Sequence, residues 1–502
     1  MNLKLNQKRT YLVGLAFMSI ILFWTTYDTL IAKMLVDNFG LNQTASGIIM
    51  ALDNVLALFL LPLFGRLSDK TKTRFGKRTP FIIVGTIFAA ILFVGVAFFD
   101  LFQQKAVADF GFTQITSIGT PENPLYQYFI NGVPFTNNVK SALAAERAAK
   151  ILADVTLKNP LMLVGFIVVL FFVLLAMGIY RSPAVSLMPD VTPKPLRSKA
   201  NAIINLLGTL GGGISYILVA VLASTAMMAK VGYVLVFAVT GLLMLIMIAV
   251  FVLTVKENKW VAEMLEITKE YNLDSLNIDE EGVDMTQHGD QEKMPKDVRR
   301  SFILILMAVV LWFMAYNAAT SKFSVYAFNH LHLESFSIPP LIATVSATIA
   351  FIPIGIISQK IGRRKMILIG ISVLAISFVG AIFIVSESKV LMYVIMALVG
   401  ISWAAINVNS YPMVVEMSKH GNIGVYTGYY YTASMGAMII TPILSGAIMD
   451  FTQYYPSLFI YSAAFMVLAF IPMWFVKHGE PVNIEPIAKV EEPVTEENGD
   501  NI

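Results

Sequence analysis

Three ionisable residues stand inside long apolar stretches: Asp28 in ILFWTTYDTL, Asp53 in MALDNVLAL and Arg181 in LLAMGIYRSPAV. An ionisable side chain near the middle of a bilayer costs about 2.5–3.5 kcal/mol on insertion scales, which makes each of them a candidate for chemistry. Asp28 lies in the outer half of its stretch and Asp53 close to the midpoint of the next. The two stretches run in opposite directions, so at about 1.5 Å per helical residue the carboxylates differ in depth by only a few Å. Such a pair suits the binding and release of a proton, or of a polar ligand. Arg181, beside Pro183, is either a fixed cation next to those acids or the partner of an inner-end acid such as Asp190. Around them are rings and amides at helical spacing: Trp24, Tyr27 and Asp28; Asn201 and Asn205; Tyr316 and Asn317; Trp403 and Asn407; and Tyr430. Aromatic rings cover the apolar face of a sugar while amides and a carboxylate bond its hydroxyls, so the set fits a neutral, polyhydroxylated ligand. Each ring taken singly also has a packing or interfacial role open to it.

The same inventory excludes much. There is no cysteine, hence no thiol catalysis and no cysteine-held zinc, and the five histidines are not paired on an apolar stretch. No GxxxxGK[ST] phosphate loop occurs. The expectation is a protein that is no enzyme and has neither metal nor cofactor. A net charge of +3 gives no reason to expect nucleic acid as a partner.

The elements that must position these residues follow from composition. The 502 residues are 57% apolar and only 14% charged, with mean hydropathy +0.70, against ~45–50% and ~25% for a soluble domain. Twelve runs are long and apolar enough to span a bilayer: 11–36, 44–65, 80–99, 160–189, 199–223, 231–255, 301–324, 338–358, 365–386, 389–415, 422–449 and 456–476. With both termini inside, seventeen lysines and arginines fall in short inner segments and four (Lys33, Lys230, Lys322 and Lys389) in outer turns. That asymmetry sets the topology. The fold class is therefore an all-α, multi-pass integral membrane protein with cytoplasmic termini, placed in the cell membrane.

Residues 257–299 carry twelve acids against five bases and read as an acidic cytoplasmic linker, whose Trp260, Met264, Ile267 and Tyr271 mark a helix on the inner membrane surface. The linker separates two six-helix bundles, 1–256 and 300–478, and 479–502 is an acidic tail expected to be disordered. The outside stretch 100–158 ends in an Ala-rich helix with Val139, Leu143, Ile151 and Val155 on one face, and reads as a surface ornament or as a lid. Both halves carry the same punctuation after their second helix, GRLSDK then FGKR from Gly65 and GIISQK then IGRRK from Gly355. Paired halves around a central path are the arrangement of transporters with parallel repeats.

The loop GRLSDKTKTRFGKRTPF, residues 65–81, resembles the signature between helices 2 and 3 of the major facilitator superfamily. Its extension RFGKRTPF, together with YRSPAVSLMPDVTPKPLRSKAN at 180–201, is similar to the branch holding the glycoside–pentoside–hexuronide:cation and sucrose–proton symporters. The resemblance implies two pseudo-symmetric bundles, alternating access and symport of a sugar with a cation. Melibiose-type members carry several acids in helix 2, whereas this chain has Asp53 there at mid-span, which favours a proton over sodium. It also marks Gly65, Arg66, Asp69, Gly76, Arg78 and Asp190 as a cytoplasmic gate, closed when the protein faces outward and broken when it faces inward. The alternative for these charges is ordinary positive-inside topology. Expected partners are a sugar-like solute, a proton and the lipid bilayer, with the monomer as the working unit. An exporter of amphipathic compounds is the second reading, and a non-transporting membrane sensor the third.

Overall fold

The computed structural model describes residues 4–479 apart from 121–122, 124, 194–195, 224–230, 271–294, 334 and 418–422. Among the described residues twelve helices are long and apolar enough to cross a membrane. In chain order these are α1 (Gln7–Asp37), α2 (Gln43–Lys70), α3 (Thr79–Asp109), α5 (Leu161–Val191), α6 (Arg197–Leu222), α7 (Val234–Thr254), α9 (Lys296–Asn329), α10 (Ile338–Ile361), α11 (Arg363–Ile382), α12 (Leu391–Glu416), α13 (Ile423–Thr452) and α14 (Ser457–Phe475). Two shorter helices intervene, α4 (Lys140–Ile151) and α8 (Glu257–Glu270). Helix starts follow local chemistry: the Asn6 and Asn42 side chains accept the amides of Arg9 and Ala45 at 3.2 and 2.8 Å. Large apolar side chains such as Ile352 and Ile376 remain more than 70% exposed, as a lipid-facing surface requires.

The two halves repeat one packing scheme. In the first, α1 lies on α6 and α7, α2 on α5, and α3 on α5 and α7; in the second, α9 lies on α13 and α14, α10 on α12, and α11 on α12 and α14. The halves meet where α1 faces α9, α2 faces α13 and α6 faces α10. Below, the end bearing the α1–α2 turn is called outer and the end bearing the α2–α3 turn inner, following the lysine and arginine distribution.

The outer end is sealed by contacts between halves. A Cβ on Gly47 would stand 2.1 Å from the Pro442 carbonyl oxygen, and one on Gly446 2.3 Å from that of Gln43, so α2 and α13 touch backbone to backbone. The Asp450 carboxylate takes the Gln43 and Thr44 amides, each at 2.8 Å. Lys322 Nζ donates to the Gln43 carbonyl at 2.9 Å and to Ser46 Oγ at 3.3 Å. Two assignments change here. Lys33 and Lys322, expected in outer turns, lie within α1 and α9 and are 3% and 0% exposed. Each has a partner that makes burial tolerable: Lys33 pairs with Asp37 one turn on, and Lys322 bonds Gln43 and Ser46 across the halves.

The stretch 100–158 is also more than a loop. Its first ten residues continue α3 to Asp109, and a three-stranded antiparallel sheet follows, β1 (Thr116–Ser117), β2 (Tyr126–Ile130) and β3 (Val133–Asn137). Then comes α4, which presents Leu143 and Ile151 to a small core, while Val139 is 54% exposed. The helix expected over Trp260, Met264 and Ile267 is α8, but it docks on protein. Arg9 pairs with Glu263 at 2.5 Å and lies 5.1 Å over the Trp260 ring. Tyr271, Lys194, Lys230, Lys419, residues 271–294 of the linker and the tail from 480 lie outside the described residues, while 296–299 already belong to α9.

Candidate functional site

A cavity of about 180 Å³ opens between the halves. The first half contributes Thr25, Asp28 and Thr29 from α1 and Tyr216 from α6; the second contributes Tyr316 and Thr320 from α9, beside the apolar Phe323 and Phe336. Thr25, Asp28 and Thr29 meet there because positions i, i+3 and i+4 share one helix face. Asp28 is exposed to this space. Asp53 stands behind it, half-buried, its Oδ1 accepting the Asn54 amide and side-chain nitrogen at 2.6 Å each. The Arg181 guanidinium lies 5.5 Å over the Trp24 ring and within electrostatic reach of Asp53 and Asp28. Arg181 thus stands near the two membrane acids. Asp190 is engaged elsewhere, with Lys77 at 3.2 Å and Arg78 at 2.9 Å.

The aromatic candidates divide into two layers. Tyr316 faces the cavity and is backed by Trp403 in a parallel stack, ring centroids 3.8 Å apart and planes 7° from parallel. Phe313 connects Trp403 to Tyr430, whose hydroxyl lies 3.0 Å from Ser410 Oγ. Tyr27 is fully buried against Phe23 rather than lining the space. Buried polar atoms are normally hydrogen-bonded. Yet Trp24 Nε1, Tyr27 Oη and Asn317 Oδ1 have no partner among the described residues. The exposed amides Asn201, Asn205 and Asn407 stand outside the cavity lining, although Asn205 shares a face of α6 with Tyr216 three turns away. The hydroxyls of Thr25, Thr29 and Tyr216 were not among the expected site residues. The threonines were legible from their spacing around Asp28, and Tyr216 from the face it shares with Asn205.

At the inner end Arg78 is 5% exposed. It donates to Asp69 at 2.5 Å, to Asp190 at 2.9 Å and to the Gly65 carbonyl at 3.3 Å. Arg66 is exposed, and it is Arg78 that pairs with Asp69. Glu257 was not among the expected site residues. Its carboxylate, on a residue 1% exposed, accepts the amides of Lys77, Arg78 and Thr79 and the Thr79 hydroxyl, all within 2.7–2.9 Å. That caps the start of α3 with a negative charge, where a helix favours one. Gly76 has φ +120°, and a Cβ there would stand 2.2 Å from that carboxylate, so glycine is required. All of these groups belong to the first half and α8. They brace α2, α3 and α5 together, and the brace is intact while the outer end is sealed.

Comparison with known proteins supplies the wider frame. A family model described as Major Facilitator Superfamily matches residues 152–435 and 342–498, and one described as MFS/sugar transport protein matches residues 12–132. A lactose permease from Lactobacillus helveticus is 41% identical over 77 residues, 13% of this chain and 12% of that protein, so the chain aligns with only a small part of that relative. The inward-open structure of the xylose transporter XylE from E. coli superimposes with TM-score 0.60 at 16% identity, covering 95% of this chain and 97% of that one. A nucleoside transporter, NupG, gives TM-score 0.56 at 14% identity over 93% of this chain and all of its own. A bacterial homologue of the iron transporter ferroportin, in an inward-facing state, gives 0.61 at 11% identity over 94% of this chain. At these identities the solved structures speak for the fold alone.

Proposed function

The chain belongs to the major facilitator superfamily, and from that premise we propose that it is a secondary active transporter that carries a sugar or glycoside together with a proton by alternating access. One observation carries the reading: Asp28 faces a cavity between the halves, with Asp53 and Arg181 behind it and the outer exit sealed. In this reading Asp28, Thr25, Thr29 and Tyr216 bond sugar hydroxyls, and Tyr316, held flat by Trp403, covers an apolar sugar face. Asp53 is the proton-carrying acid, and Arg181 is the fixed cation that meets it when the proton leaves. Trp24, Tyr27, Asn317 and Tyr430 shape the surroundings, while Asn201, Asn205 and Asn407 line the route toward the inner end. The MFS/sugar transport protein model over residues 12–132 and the lactose permease segment support the choice of solute.

Residues 1–256 and 300–478 are the two rocking bodies, tethered by 257–299, with both termini in the cytoplasm, and the monomer is the working unit. A ligand moves such an equilibrium only through its difference in affinity for the two states. Gly65, Asp69, Gly76, Arg78 and Asp190 all lie in the first half, so in this reading they move with that half as a brace and do not act as a gate that breaks when the protein faces inward.

The test is uptake into proteoliposomes under an imposed pH gradient, screened across mono- and disaccharides. Accumulation of one of them supports the proposal. Failure of every sugar to move under either a proton or a sodium gradient contradicts it and favours export of amphipathic compounds.

A further inference from the structure

The domain between α3 and α5 has its own core of Phe112, Tyr128, Leu143, Ile151 and Val155. It is fastened to the α1–α2 turn of the first half. Arg147 Nε donates to the Thr113 carbonyl at 2.9 Å and Nη1 to that of Asp37 at 3.4 Å, and the Thr156 hydroxyl donates to the Phe39 carbonyl at 2.9 Å. On its other side the Tyr126 ring stacks on His332 of the second half, centroids 5.8 Å apart and planes 18° from parallel.

His332 sits in the α9–α10 turn with φ +55°, a backbone region that residues other than glycine seldom occupy. Ser386 holds it there, with Oγ 2.7 Å from Nδ1 and a second bond to the Leu331 carbonyl at 3.1 Å. Nε2 is buried with no partner among the described residues. The site therefore fits a neutral imidazole: Nε2 has no hydrogen-bond partner among the described residues, and a backbone bond with His330 favours the charged form only in part.

We infer that this domain is an external gate, closed by the Tyr126–His332 stack and released when His332 is protonated. The inference rests on the alternating-access reading. The groups facing His332 are Lys140 at the start of α4, His330 in its own turn, Glu387 from the α11–α12 connection and Tyr126 from β2. Beyond Lys140 lie Lys33 and Asp37 of α1.

Burial first, and Lys140 second, hold the imidazole down to about 4, and a backbone hydrogen bond with His330, followed by the Glu387 charge, offsets this only in part. Opening returns His332 to water and to its ordinary value of ~6.5, so the open form takes up the proton. The closed contact is at full strength above ~6.5 and weakens about tenfold per pH unit as pH falls toward the folded value, below which it changes no further. An acidic exterior would thus unlatch the side from which protons enter.

The chain has no cysteine, so spin labels can be placed at will. One pair at Thr116→Cys and Lys389→Cys spans the external gate, and a second at Lys72→Cys and Lys360→Cys spans the inner ends. Electron–electron distance distributions are read in liposomes at pH 7.5 and 4.5. The expected result is a longer outer population at pH 4.5, increased at least tenfold relative to the short one. His332→Phe, which keeps a ring to stack, and His332→Asn, which tolerates the turn, should both remove the pH response. Tyr126→Ala should give the long population at both pH values. An unchanged outer distance across pH, or a pH response that survives in both His332 variants, overturns the gate. If the inner pair still moves when sugar is added, only the gate falls; if neither pair moves under any condition, alternating access falls with it.

Discussion

Asp450 of the second half holds Thr44 of the first through both its amide and its hydroxyl, at 2.8 and 2.6 Å. This carboxylate at a helix start ties the halves together at the outer end, next to the fully buried Lys322. Hydrogen bonds to a charged group contribute about 1.5–3 kcal/mol each when well shielded. Asp450→Asn keeps the shape and removes the charge, and should shift the population toward the outer-open state by roughly tenfold. With a single Thr29→Cys in the cavity, labelling by an impermeant external thiol reagent should speed up by that factor. An unchanged rate would show that this bond does not hold the seal.

The backbone contact at Gly47 leaves no room for a side chain, since a Cβ would meet the Pro442 carbonyl at 2.1 Å. Gly47→Leu should force α2 and α13 apart at the outer end without touching the cavity lining. External sugar should still bind to this variant, while transport falls at least tenfold. Calorimetric titration beside uptake separates the two. Loss of both together would point to misfolding rather than a trapped state.

Glu257 is nearly fully buried and satisfies three amides and a hydroxyl at the start of α3. Removing one partner of a buried charged network costs about 3–5 kcal/mol. Glu257→Ala should lower the melting temperature in detergent by roughly 5–10 °C, and Glu257→Gln by less. Gly76→Ala should act in the same direction, because it adds a strained φ and a clash with that carboxylate. Equal melting temperatures for all four proteins would mean that α8 is not part of the brace.

The twelve spans and their pairing into halves were legible because bilayer burial writes itself into long apolar runs and a repeated loop motif. Asp28, Asp53 and Arg181 were legible for the opposite reason, as charges where charges are costly. Lys33 and Lys322 sit toward the outer ends of helices that end at Asp37 and Asn329, where sequence alone places a lysine in water. Their burial depends on Asp37 in one case and on the Gln43 carbonyl in the other, and the second of these partners lies in the opposite half. Glu257 was hidden among eleven other acids, and only the glycine geometry at Gly76 shows why that one carboxylate is inside. The β-strands at 116–137 were missed because their runs, such as TyrGlnTyrPheIle from Tyr126, are short and form a sheet only when packed together on Leu143 and Ile151 of α4.

Asp53 as the proton carrier is tested most directly by proton movement on sugar entry. Proteoliposomes in weakly buffered medium receive the transported sugar with no imposed gradient, and external pH is followed. The unsubstituted protein should alkalinise the medium as sugar enters, with a fixed ratio of protons to sugar. Asp53→Asn should retain sugar exchange across the membrane and give no pH change. Alkalinisation by Asp53→Asn at the unsubstituted rate, or sugar entry without proton uptake in the unsubstituted protein, would contradict the assignment.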